Sequence, residues 1–313
     1  MLRQFLFLFL FSTVLAPARA QQDSVAPVKA FRFTYENDFF TATDYYFTQG
    51  VRIEIVLPAF RKNPVSRLLL SLHGGLDEEF GLSVNQQCFT PTSIREDVIL
   101  FGDRPFAGAI FIGFHRISVH PSKMLRITSE LDLGGVGPCS SCRETQESIH
   151  TWLDNVYPHG WQFQVQNGPV LNYTAKLEKG FFARDHVDLS GHGTAAAGTL
   201  YSNLAAGMLF RAGWMRNYFT VPDAKTKLRF WFTGGGEIRA VGWNATLQGP
   251  VFSKNNPYTI ANDDLRRLVL QGRGGLELSF RKLHVQYFHY YLTPEFRTGL
   301  KHSWGHCRIS LLF

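Results

Sequence analysis

Residues 31–36 read Phe31-Arg32-Phe33-Thr34-Tyr35-Glu36, and this short stretch decides the fold. Aromatic and polar side chains alternate strictly. At the two-residue repeat of an extended chain, that puts the aromatics on one face and the polar groups on the other. Val51-Arg52-Ile53-Glu54-Ile55 repeats the pattern. Such two-faced strands belong either to a soluble antiparallel β domain or to a closed barrel with lipid outside and a polar lumen.

Working outward, similar stretches fall at about 79–88, 105–118, 124–134, 161–181, 185–197, 199–214, 226–242, 267–281, 282–293 and 302–313, which with the first two makes twelve strands. The 161–181 stretch contains Gly168-Pro169 and is read as one broken strand, because a single-chain bacterial barrel needs an even number. Short polar turns such as His120-Pro121-Ser122-Lys123 contrast with long segments at 89–104, 135–160 and 243–266, as periplasmic turns contrast with extracellular loops. The last strand, Arg308-Ile309-Ser310-Leu311-Leu312-Phe313, ends in a phenylalanine like the assembly signal of outer-membrane barrels. The expected fold is a twelve-stranded antiparallel transmembrane β-barrel with a short helix in an extracellular loop.

Composition agrees. Hydrophobic residues make up 45% of the 313 and charged residues 18%, which excludes a disordered chain or a charged coiled coil. Aromatics at 14% and 28 glycines suit twisted strands with aromatic belts. Lys and Arg number 32 against 25 acids, a net +7 that is dispersed rather than run together, so nucleic acid is not an expected partner. After residue 20 no run of 18 apolar residues exists to form a spanning helix. Residues 1–20 open with Arg3, carry an apolar run from Phe5 to Leu15 and end on Ala18-Arg19-Ala20, the pattern of a cleaved signal peptide. Residues 21–313 are then one exported barrel domain, with monomer the expected state.

Four places concentrate chemistry. Glu36-Asn37-Asp38, followed by Thr41, Thr43, Asp44 and Thr48-Gln49-Gly50, gathers oxygen ligands on two adjacent strands. By parity Asp38 and Thr48 face the lumen and Asn37 faces away. Such a set suits calcium, although capping of a turn would use the same residues. Residues 139–157 contain the helix, with Ser140 or Ser141 as N-cap and Glu144 near the capping-box position. Gln146 and His150, four apart, share one helical face, where the histidine can act as a general base. Gly102-Asp103-Arg104-Pro105-Phe106-Ala107-Gly108 suggests an Asp–Arg pair fixing a loop, and Gly134-Gly135-Val136-Gly137-Pro138 a backbone device rather than a phosphate loop. Of the four cysteines, Cys139 and Cys142 form a C-x-x-C read as a local disulfide, leaving Cys88 and Cys307 unassigned. No G-x-S-x-G, H-E-x-x-H or P-loop occurs.

Taken together, these pieces resemble the lipid A 3'-O-deacylase family of outer-membrane barrels. The matching segments are Asn37-Asp38, Tyr46-Phe47-Thr48-Gln49-Gly50, Phe89-Thr90-Pro91, the 102–108 and 134–138 segments and Gln146-x-x-x-His150. Trp161-x-x-Gln164-x-x-Asn167, Asn244-Ala245-Thr246-Leu247-Gln248-Gly249 and Glu295-Phe296-Arg297-Thr298-Gly299 complete the set. The resemblance implies calcium-dependent hydrolysis of the 3'-linked acyl ester of lipid A, part of lipopolysaccharide, in the outer leaflet of a Gram-negative outer membrane. It makes His150 the base that activates water and Asp38 the calcium-binding carboxylate. Asn37, Thr48 and Gln146 would orient metal, water or substrate. Where the family can present a lysine after the Thr-Pro, this chain has Arg95-Glu96, and Arg95 would meet substrate phosphate. Two other readings use the same residues: a phospholipase-like acyl hydrolase and a non-catalytic structural or pore-forming barrel.

Overall fold

A computed structural model describes residues 28–41, 45–74, 77–184, 186–220 and 228–313. The segment read as a signal peptide, and Thr43 and Asp44, lie outside the described residues. The strands are β1 (Ala30–Asn37), β2 (Tyr46–Val56), β3 (Asp77–Thr90), β4 (Ala107–His120), β5 (Leu125–Val136), β6 (Gly168–Ala183), β7 (Val187–Gly198), β8 (Tyr201–Trp214), β9 (Arg229–Asn244), β10 (Leu268–Phe280), β11 (Leu283–Leu292) and β12 (His302–Leu312). Each pairs antiparallel with its neighbours in sequence, and β1 with β12 closes the ring. Two helices join them, α1 (Cys142–Trp152) and the single turn α2 (Ala245–Gln248).

The alternation sorts the wall as expected: Phe31 and Phe33 stay exposed on the outside while Arg32 and Thr34 are buried in the lumen. Inside, Arg32 donates to Glu54 and to Glu79, both at 2.6 Å, and Arg52 to Glu130 at 2.8 Å. The β8–β9 connection adds Tyr218, whose hydroxyl donates to Glu178 at 2.7 Å, and Phe219, packed against Ile117 and Val119. A polar cavity of about 670 Å³ remains.

Four expectations are corrected. Residues 161–181 are not one strand: Trp161–Phe163 forms a 3-10 turn and β6 begins only at Gly168, where Pro169 can occupy a strand start. The count of twelve survives. Not every periplasmic turn is short, since residues 57–76 make an extended connection between β2 and β3 with 3-10 turns at Pro58–Lys62 and Pro64–Arg67. Asp103 and Arg104 do not pair through their side chains. The Asp103 carboxylate accepts from Thr92, while the Arg104 guanidinium runs to Glu295 at 2.5 Å and Thr246 at 2.7 Å and stacks over Phe89. Ser141 does not cap α1, because it takes a left-handed conformation (φ 55°) unlike the extended backbone of a capping serine, and the first helical N–H, that of Cys142, donates to Ser140 Oγ at 3.4 Å instead.

Candidate active site

The site is built on the outer surface of the barrel wall. On β3, Gln87 points inward, where Tyr201 donates to it at 2.8 Å, so Gln86, Cys88 and Thr90 point outward. Gly108 of β4 pairs with Cys88 and shares that outer face. Over this patch lie Ser140 and the start of α1. A side chain at position 108 would have its Cβ 2.0 Å from Ser140 Oγ and 2.7 Å from Cys142 Sγ, so glycine is what allows the helix to approach the wall.

Cys142, the first helical residue, is bonded to Cys88. The expected Cys139–Cys142 bridge is therefore wrong: Cys139 is an exposed free thiol and Cys307 a half-buried one. Closeness in sequence mattered less than the outward parity of Cys88, which sets it beneath the helix start with a Cα separation of 5.6 Å. Gln86 adds a second tie by donating to the Ser140 carbonyl at 2.7 Å. Cys88, Phe106, Cys142 and Trp161 pack together as a small buried cluster between helix and wall.

The helix presents Gln146, buried, and His150 one turn later, half-buried. Trp161 Nε1 donates to Gln146 Oε1 at 2.7 Å, which fixes the amide so that Nε2 faces Thr48 Oγ1 at 3.4 Å. Thr90 also donates to Thr48 Oγ1, at 3.4 Å. Thr48 was expected on the lumen face. A β-bulge between Phe47 and Gln49 turns it outward, the extra residue shifting the alternation by one. Asn37 faces outward as parity requires, donating to the Thr48 carbonyl at 2.6 Å and to the Tyr35 hydroxyl at 3.0 Å.

For Asp38 strand parity does not apply, because β1 ends at Asn37 and Asp38 opens a 3-10 turn, Asp38–Thr41. Its side chain is buried. His150 Nδ1 lies 2.6 Å from the Val156 carbonyl oxygen. A carbonyl can only accept, so Nδ1 carries the proton and a neutral ring keeps its lone pair on Nε2.

The structure thus joins Asn37, Thr48 and Gln146 by hydrogen bonds, with His150 on the same helix and Asp38 next in the chain. Arg95 is exposed in the loop between β3 and β4, next to Ile94, which packs on the Cys88–Trp161 cluster. Among the described residues no hydrogen bond links its guanidinium to the others. None of the five lines the lumen cavity. Sequence reasoning missed Trp161 and Cys88 as supports of the helix. The Trp161-x-x-Gln164 spacing could have signalled a loop, since a helix-bearing loop has to return to the wall somewhere. No group of three or more His, Cys, Asp or Glu is placed to hold a metal among the described residues. Any cation here would draw on the Asp38 carboxylate and otherwise on amide, hydroxyl and carbonyl oxygens, a donor set that calcium accepts and zinc does not prefer.

Comparison with known proteins agrees with this architecture. Among solved structures, LpxR from Salmonella typhimurium is 20% identical and superposes with a TM-score of 0.72, over 91% of this chain and 100% of that one. The translocator domain of autotransporter NalP from Neisseria meningitidis is 9% identical with a TM-score of 0.45, over 93% of this chain and 90% of that one. The β domain of the Bordetella autotransporter BrkA is 8% identical with a TM-score of 0.44, over 91% and 98%. No curated protein sequence matches. The profile of the family described as outer membrane protein LpxR matches residues 5–313, and on that match the chain belongs to the LpxR family, the lipid A 3'-O-deacylases of the outer membrane.

Proposed function

We propose that this protein is a lipid A deacylase that hydrolyses the 3'-linked acyl ester with a calcium-assisted, histidine-activated water. The observation that carries the reading is the placement of His150 and Gln146 on the outside of the barrel wall, at the end opposite the chain termini. A lipid in the outer leaflet reaches that surface laterally, without entering the lumen.

With its Nδ1 proton held by the Val156 carbonyl, His150 presents Nε2 to take a proton from water. That water attacks the ester carbonyl, and the same imidazole returns the proton to the departing sugar oxygen. Gln146 Nε2 and the Thr48 hydroxyl are donors for the oxyanion. Asn37 holds the bulge that turns Thr48 outward. Calcium held by Asp38 and neighbouring oxygens would supply Lewis-acid polarisation of the carbonyl. Arg95 is free to meet a substrate phosphate. No covalent serine is needed.

The test is mass spectrometry of lipid A from Gram-negative cells expressing the barrel, with calcium or chelator, beside His150→Ala and Asp38→Ala. A calcium-dependent loss of one ester-linked acyl unit is expected, falling at least ~100-fold in His150→Ala while the variant keeps its heat-modifiable mobility. Full activity in that variant removes the base. Unchanged activity in chelator removes the metal. An unaltered spectrum with acyl release from glycerophospholipids instead makes the enzyme a phospholipase.

A further inference from the structure

The extended connection between β2 and β3 leaves the periplasmic rim. It climbs the outside of the barrel. The parity of β4, β5 and β6 settles this: Ile117 and Val119 of β4 point into the lumen beside Phe219, so Arg116 and Ser118 point outward. On β5, Arg126 and Glu130 line the lumen, and Ser129 therefore faces outward too. Tyr173 of β6 faces outward between the exposed Leu171 and Leu177.

These four outward polar side chains all bond the backbone of residues 68–72. Arg116 donates to the Leu69 carbonyl at 3.4 Å and Ser129 to the Leu70 carbonyl at 3.0 Å. The Tyr173 hydroxyl donates to the Leu68 carbonyl at 3.1 Å and accepts from Leu70 N–H at 3.0 Å, while Ser118 accepts from Leu72 N–H at 3.3 Å. Ser118 and Ser129 are fully covered as a result. Ser129 lies four residues into its strand, about 13 Å along it from the periplasmic turn. At that depth irregular backbone faces hydrocarbon and has to be satisfied by protein, which is what the polar stripe on the wall achieves.

The segment's outer face is apolar at this level, and the residues that precede it in sequence are cationic. Leu68 and Leu70 are 65% and 51% exposed, continuing the lipid-facing surface of Leu171 and Leu177. Arg61, Lys62 and Arg67 are exposed, and residues 57–76 contain no acid to neutralise them. Exposed leucines preceded by cations that the segment itself does not neutralise match the two ends of one ligand, acyl chains and an anionic headgroup.

We infer that residues 57–74 form a re-entrant binding site for an anionic glycerophospholipid of the inner leaflet, with Arg61, Lys62 and Arg67 on the headgroup and Leu68 and Leu70 against the chains. The site is on the opposite leaflet from α1 and does not depend on the deacylase reading.

Native mass spectrometry of the full barrel, released from nanodiscs of phosphatidylethanolamine mixed with phosphatidylglycerol, tests it. The wild type is expected to retain phosphatidylglycerol over phosphatidylethanolamine. The Arg61→Gln, Lys62→Gln, Arg67→Gln variant is expected to lose that preference at least ~10-fold while keeping its heat-modifiable mobility. A second variant, Lys123→Gln with Arg184→Gln, removes exposed periplasmic cations outside the segment and is expected to bind like the wild type. No preference in the wild type overturns the proposal, as does equal retention by the triple variant. Equal loss in the second variant also overturns it, by showing diffuse charge attraction in place of a site.

Discussion

At the scale of single residues, the chemistry depends on two hydrogen bonds that orient side chains rather than on the side chains alone. The Val156 carbonyl sets the tautomer of His150, and the Trp161 indole N–H sets the amide of Gln146. Without Trp161 N–H the amide can rotate and offer its oxygen to the developing oxyanion, which repels it. Trp161→Phe keeps an aromatic ring against Phe106 and deletes only the donor. It is expected to lower kcat about 10-fold with little change in KM, about 1.4 kcal/mol of lost transition-state orientation. The contrast is Gln146→Ala, which should cost no less alone and gain nothing further when combined with Trp161→Phe, because the indole acts only through that amide. Independent, multiplying losses in the double variant would mean that Trp161 merely packs the loop. Among the residues named from sequence, the helical pair was legible because a four-residue spacing on a helix fixes a shared face whatever the tertiary fold. Thr48 was misplaced because it lies at a bulge, and Asp38 opens a 3-10 turn, two breaks in strand periodicity that alternation cannot foresee.

At the scale of elements, α1 is a helix of eleven residues whose own caps are poor, held on the barrel by a covalent bond at its first residue. The Cys88–Cys142 bond spans 54 residues of chain, and closing a loop of that length is worth about 4 kcal/mol in the chain-entropy picture. The twelve strands have hydrogen bonds all round the ring and do not need it, so its effect falls on the helix. Reduction, or Cys88→Ser with Cys142→Ser, is expected to leave heat-modifiable mobility intact while activity falls and residues 137–167 become open to protease. Cys139→Ser should change neither, since that thiol takes no part in the bond. Protease resistance surviving reduction would shift the role of the latch to Gln86 and Gly108. Apart from the starts of β2 and β6, the strand ends were read to within about three residues, because lipid on one side and water on the other enforce two-residue alternation along their length. The disulfide was not, because pairing between cysteines depends on which face of β3 meets which end of a helix, and sequence spacing carries nothing of that.

At the scale of the molecule, three extracellular loops are drawn together by one arginine. Arg104 from the β3–β4 loop, Thr246 in α2 and Glu295 from the β11–β12 loop meet at 2.5–2.7 Å, and Asn244 donates to Glu295 at 3.3 Å. The separate motifs at 102–108, 244–249 and 295–299 converge here, on a structural clamp. Burial opposes ionisation of Glu295, but the adjacent Arg104 guanidinium and its hydrogen bond outweigh that and hold the carboxyl below the usual carboxylate range. A carboxyl whose value is depressed on folding stabilises the fold above its unfolded value and loses that contribution as pH falls through the folded one. The clamp is therefore fully formed at neutral pH, and it loosens only in acid, below the range in which free glutamates titrate. Arg104→Met, which removes the charge and keeps the stem over Phe89, leaves Glu295 buried without its cation and should cost about 3 kcal/mol in the loop-bearing end. In that variant the Glu295 carboxyl rises instead of falling, so the sign inverts and protonation relieves the loop end. Protease sensitivity of residues 245–267 measured from pH 7 downward separates the two cases: the wild type should open as pH drops, and Arg104→Met should start open and tighten. Parallel profiles for the two proteins would show that Arg104 is not what sets the ionisation of Glu295.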